Sequence, residues 1–84
     1  MFYVYLLENV DGGWYIGYTG DLRRRIAEHR SGQNPTTSRG TYRLIYYEAY
    51  LEKMDAIGRE RFLKSGSGRK FLRKQLLSFL AGRK

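Results

Sequence analysis

Apolar and polar positions change rhythm several times along this chain. The opening MFYVYLLE is aromatic and β-branched and too short for a stable helix, so it predicts a strand. NVDGG supplies turn chemistry, and WYIGY predicts a second strand that pairs with the first as a hairpin. Side chains alternate across a strand. Tyr3 and Tyr5 therefore share one face and Val4 and Leu6 the other, while Tyr15 and Gly17 lie opposite Trp14 and Ile16.

In TGDLRRRIAEHRSG the period lengthens to that of a helix. Thr19 or Asp21 can cap its start and Ser31-Gly32 can end it. Leu22, Ile26 and His29 form one stripe, Arg25 borders it, and Arg24 and Glu28 stand at i,i+4 on the outer side. QNPTTSRG, with the lone proline, predicts an exposed loop. TYRLIYYEAY predicts a third strand and EKMDAIGRERFLKSG a second helix, weakened at Gly58. SGRKFLRKQLLSFLAGRK predicts a third helix with Phe71, Leu72, Leu76, Leu77 and Leu80 on its apolar side. The fold class is α/β of the α+β type: a small three-stranded, mainly antiparallel sheet flanked by three helices in the order ββαβαα. No repeat, linker or low-complexity segment interrupts it, so residues 1–84 read as a single domain.

Composition narrows what such a domain can do. Without cysteine there is no disulfide, thiolate metal site or cysteine nucleophile, which fits a reducing, cytoplasmic setting. No apolar run spans a bilayer, and the start lacks the pattern of a secretory signal, so no membrane partner is expected. A lone histidine argues against a zinc enzyme. GSGR at 66–69 is too short and wrongly placed for a phosphate loop. Sixteen Lys and Arg against eight Asp and Glu give a net charge of +8, and eleven of the sixteen are arginine, whose planar fork suits phosphate. The balance points to a polyanion, foremost nucleic acid.

The residues that could act on a phosphodiester converge on the hairpin and the first helix. Tyr5 and Tyr15 can face the same side, and the helix would bring Arg25 and His29 to that surface. Hydrolysis needs water deprotonated, the transition-state charge clamped and the leaving oxygen stabilised. A phenol can serve the first task if nearby cations lower its pKa. An arginine serves the second, and a hard metal on a carboxylate serves the third. Glu60, on the core side of the second helix, is the best-placed carboxylate. Spacing alone leaves it balanced between a metal ligand and a surface partner of Lys64. Asp21, Glu28, Glu48 and Glu52 are accounted for by capping or surface pairing. Tyr46, Tyr47 and Tyr50 read as ordinary strand residues with amphipathic tips.

These residues, in this order, resemble the GIY-YIG endonuclease superfamily over about Phe2 to Arg73, most closely its small single-domain bacterial branch, which is similar to the nuclease module of excision-repair enzymes. YIG at 15–17 matches the second half of the signature, DLRRRIAEH the arginine helix, and RERFLK at 59–64 the segment with the metal-binding glutamate. The first half reads YVY, with Tyr3 in the glycine's place. The resemblance implies a DNA-repair-type endonuclease. Tyr5 would be the general base or its relay, Tyr15 a support for water and phosphate, Arg25 the phosphate clamp and His29 a polar helper. Glu60 would ligate one Mg²⁺ or Mn²⁺. Arg23, Arg24, Arg39, Arg43, Arg69, Lys70, Arg73 and Lys74 would contact nucleic acid. With a catalytic module filling the chain, the expected partner is DNA that is branched, nicked or flapped, chosen by shape or by a targeting protein, with RNA left open beside it. The competing reading is a basic nucleic-acid-binding module without catalysis. A protein-interaction subunit with little affinity for nucleic acid is a third.

Overall fold

The computed structural model describes residues 1–31 and 42–82. In chain order they form β1 (Phe2–Asn9), β2 (Trp14–Thr19), α1 (Leu22–Arg30), β3 (Tyr42–Tyr50), α2 (Lys53–Lys64), α3 (Gly66–Gln75) and the short α4 (Leu77–Ala81). The strands make one antiparallel sheet in the order β2-β1-β3, so the first strand is central. Its position explains why Val4, Tyr5, Leu6 and Leu7 are all buried: β1 is covered on both faces, as a continuous apolar run demands.

The hairpin closes on Asn9. Its Oδ1 accepts from the backbone N–H of Asp11 and Gly13, and Gly12 takes a φ of 86°, a left-handed conformation that glycine adopts without strain. Register follows directly, with Tyr5 opposite Gly17 and Leu7 opposite Tyr15. Against β3 the register slips between Leu6 and Leu7, which pair with Tyr46 and Leu44 and leave Ile45 unpaired. The bulge resets the alternation. Ile45 stays with the core while Leu44 joins the α1 side.

The two faces carry different covers. Val4, Leu6 and Ile16 pack with Ala56 and Leu63 of α2 and Leu72 of α3 in the main core. Each fully buried Val or Leu side chain there contributes on the order of 1.5–3 kcal/mol. The opposite face, with Tyr5 and Tyr15, receives α1 through His29. Asp21 caps α1 by accepting from the Arg24 N–H at 3.1 Å, and Ser31 follows its last turn.

The corner between α2 and α3 explains the GSG triplet. Ser65 ends one helix and caps the next, its Oγ accepting from the Gly68 N–H at 3.1 Å. Gly68 is buried where α3 starts against α2, and a Cβ there would overlap the Phe62 carbonyl oxygen.

Two expectations need correction. The third helix is not continuous: at Leu76 (φ −101°, ψ 23°) the backbone leaves helical geometry and α4 starts afresh. The turn carries Phe79 under the Arg43 guanidinium, 5.3 Å from the ring centroid, and leaves Leu77 exposed instead of on the apolar side. Second, Tyr46 and Tyr50 are more than strand residues. Both donate to Glu48, which Arg59 grips through two further hydrogen bonds at 2.9 and 3.1 Å. Arg59 stacks on Phe71 and Phe62, at 4.6 and 5.2 Å from their centroids. Burial raises the Glu48 carboxyl, but Arg59 and the two phenols outweigh it and hold it below the usual carboxylate range. Burial and Glu48 together push both phenols up to about 12. The cluster ties β3 to α2.

Two glycines should respond in opposite directions to alanine. Gly68→Ala should destabilise by about 1–3 kcal/mol through overpacking. Gly58 is exposed inside α2 with open space around it, so Gly58→Ala should stabilise by about 0.5–1 kcal/mol. Urea midpoints of the three proteins measure both.

Candidate functional site

On the α1 face, Gly17 sets the geometry. It lies opposite Tyr5 in the hairpin, and a Cβ at that position would overlap the Tyr5 hydroxyl. The missing side chain is the space into which the phenol folds. From there Tyr5 Oη lies 3.1 Å from His29 Nε2. Tyr15 completes the group: its ring centroid is 6.3 Å from that of Tyr5 and 5.1 Å from that of His29, the latter edge-on. Tyr5 and His29 are buried, whereas Tyr15 is half-buried and forms the outer member.

Arg25 stands one turn before His29 on α1. Its side chain is 38% exposed, so the guanidinium can meet a solvent-borne phosphate. Its Nε pairs with Glu28 at 3.2 Å, and Glu28 also holds Arg24 at 3.3 Å. The sequence pointed to the Arg24 pair alone. The i,i+3 spacing of Arg25 and Glu28 was the available signal for the second.

Electrostatics modify the expected chemistry. Burial, foremost, pushes the Tyr5 phenol up to about 12, and the charges of Tyr15 and Glu60 add to this. Arg25 pulls the other way without prevailing. The nearby cation therefore does not make Tyr5 acidic, because desolvation of a phenolate outweighs it. His29 moves in the complementary direction. Burial lowers its pKa from 6.5, Arg25 lowers it further and Glu28 partly opposes them. The pair at rest is a neutral phenol against a neutral imidazole.

Glu60 comes from α2, on the other side of the sheet, yet its charge registers on Tyr5. Its carboxylate is 20% exposed and pairs with Lys64 at 3.2 Å, the surface pairing that spacing allowed. Tyr5, Tyr15 and His29 are thus packed together and Arg25 flanks them, whereas Glu60 pairs with Lys64 and acts on Tyr5 as the smallest of the charges around its phenol. Among the described residues no three acidic or histidine side chains cluster as a closed metal cage. Of the other cations, Arg23 and Arg24 extend along α1, while Arg43, Arg69, Lys70, Arg73 and Lys74 lie on β3 and α3. Arg39 lies outside the described residues. No described helix is long and apolar enough to cross a membrane.

Residues 1–74 match the model of the GIY-YIG catalytic domain. The chain belongs to the GIY-YIG family. This is a nuclease family, so the chain carries a nuclease-type catalytic domain. A UPF0213 protein of Halalkalibacterium halodurans is 44% identical over 82 residues, covering 95% of this chain and 85% of its own length. A UPF0213 protein of Streptococcus pneumoniae is 45% identical over 64 residues, covering 74% of this chain, which spans 65% of that relative. The solution structure of the UPF0213 protein from Bacillus halodurans has a TM-score of 0.56 at 44% identity, over 98% of this chain and 88% of that one. The YIG glycine of this GIY-YIG domain has its physical reason in the Tyr5 hydroxyl, and the YVY variant places Tyr3 edge-on to Tyr47, with centroids 6.1 Å apart.

Two measurements probe this packing. Gly17→Ala should displace the Tyr5 ring and cost about 1–3 kcal/mol, with loss of the hydrogen-bonded His29 nitrogen signal in NMR. Because His29 binds its proton less tightly folded than unfolded, the stability it confers is full above pH 6.5 and is lost as pH falls from there through the lower folded value. A His29→Gln variant should show a flatter melting temperature than wild type between pH 7 and 5.

Proposed function

We propose that this protein is a Mg²⁺-dependent DNA endonuclease that hydrolyses phosphodiester bonds with one metal ion and selects DNA by structure. The reading is carried by the buried Tyr5–His29 hydrogen bond, with Tyr15 and Arg25 at its solvent side. Arg25 binds the scissile phosphate and offsets the charge that grows on it. Tyr15 borders the water. In the tautomer with Nε2 unprotonated, the Tyr5 hydroxyl donates to His29. As water attacks phosphorus, its proton passes to the Tyr5 oxygen, the Tyr5 proton passes to His29 Nε2, and the bond to the leaving oxygen breaks. The phenol stays neutral throughout, which suits a group held near 12, and the imidazole of lowered pKa is the net acceptor.

The metal fits the donors present. Mg²⁺ keeps several waters and is bound through one or two carboxylates plus substrate phosphate, so a closed cage is not required. Glu60, partly exposed and paired with the half-exposed Lys64 head group, is the residue that would hold it. Bound there, such an ion would offset charge on the leaving oxygen. Arg23 and Arg24 extend the phosphate contacts along α1.

One observation favours a second reading, a basic nucleic-acid-binding module without catalysis: the Tyr5 phenol is less acidic than a free one. The two readings part on cleavage. Branched, nicked and flapped DNA, with an RNA counterpart, should be tested with Mg²⁺ or Mn²⁺. Cleavage of the DNA forms is expected, abolished by EDTA and by Glu60→Gln. Arg25→Ala should lower kcat by about 10²–10³ and His29→Ala by about 10²–10⁴. The rate should fall on the acid side with a midpoint below pH 6.5. EDTA-insensitive binding with no product from any substrate would establish the second reading instead.

A further inference from the structure

Trp14 stands next to Tyr15 in the chain but faces the other side of the sheet. There it lines a cavity of about 310 Å³ together with Glu8, Gly12, Gly13, Arg69, Arg73 and Leu80, a volume at the low end for ligand clefts. The hairpin forms one wall and α3 with α4 the other. Nothing in the proposed reaction uses this cavity.

Its chemistry is specific. Glu8 is buried at 4% exposure at its base, accepting from the Trp14 indole N–H at 3.1 Å and pairing with Arg43 at 3.6 Å. The indole is thus held in a fixed orientation by a carboxylate that a cation already offsets. Arg69 and Arg73 project from successive turns of α3, a helix whose sequence GSGRKFLRKQ contains four cations and no acid. Lys70 and Lys74 follow them on the exposed surface. An aromatic platform, an apolar wall at Leu80 and paired guanidinium groups are the elements that hold an unstacked base and its flanking phosphates. A duplex would present neither a free base to the indole nor a thin enough backbone for this space.

We infer that the cavity between the hairpin turn and α3 is a second nucleic-acid site. It binds a single strand, with a base on Trp14 and phosphates on Arg69 and Arg73, on the face of the sheet away from Tyr5 and Arg25. This deepens the nuclease reading by naming a substrate class. A protein that grips a duplex on one face and a loose strand on the other favours flaps and splayed junctions, where both occur together.

Trp14 is the sole tryptophan of the chain, so its fluorescence reports on this cavity. A thymidine oligonucleotide of about twelve nucleotides, titrated into the full chain in EDTA to prevent cleavage, should quench it. Quenching should weaken with salt. In Arg69→Ala/Arg73→Ala the slope of log affinity against log salt should shrink by about 1.4, two single-strand phosphate contacts. Trp14→Leu, followed by anisotropy of a labelled oligonucleotide, should weaken binding about tenfold. Glu60→Gln, with wild-type circular dichroism, should quench as wild type does. Absence of quenching, quenching unchanged in the double variant, or equal quenching by matched duplex or by polyglutamate would overturn the inference. Quenching without cleavage of any substrate would refute the nuclease reading and leave this one standing; cleavage without quenching would do the reverse.

Discussion

One close approach organises this molecule: the Tyr5 hydroxyl over the bare Cα of Gly17. Because β1 and β2 are antiparallel neighbours, a residue on one strand looks directly across at its partner, and a phenol can lie flat over it only if the partner has no side chain. That single vacancy draws Tyr5 out of solvent, points its oxygen at His29 and leaves Tyr15 as the outer wall. Burial then reverses what neighbouring cations would do in water, keeping the phenol protonated and the imidazole neutral. The acid–base character of the site therefore follows from packing, with the charges as a correction.

The central strand divides the molecule's work. Its even-numbered side chains Val4 and Leu6 anchor α2 and α3, while Tyr5, on the other face, meets α1. The helix that carries Glu60 is fixed by two separate devices: apolar contacts through Ala56 and Leu63, and the Glu48–Arg59 clamp with its two phenols. Arg59 immediately precedes Glu60, so the clamp also limits where that carboxylate can go. Its partners sit at 46, 48 and 50, a period of two on one strand face. That spacing was visible in the chain, but only the packing of α2 revealed that a guanidinium would land on it.

Much of the fold was legible because the signals were local. Alternation along the hairpin, the turn residues at 9–13 and a cap at one of the two offered positions, Asp21, each involve neighbours along the chain, and each appears as the sequence predicted. The misses share a cause. The β3 bulge, the break at Leu76 and the Gly68 corner depend on which surface a segment meets, and no window of sequence contains that surface. Leu77 matched the helical period yet ends exposed, because the chain turns to seat Phe79 on Arg43.

The residue types alone determined the family signature, the excess of cations, the absence of thiol chemistry and the ββαβαα order, since these are properties of composition and short-range period. Tertiary structure decided the rest. It buried Tyr5 against His29, set its pKa near 12, brought the charge of Glu60 within its reach and left Trp14 facing α3. Those outcomes depend on distance and desolvation between residues far apart in the chain, and both come into existence only when the strands pair and the helices close over them.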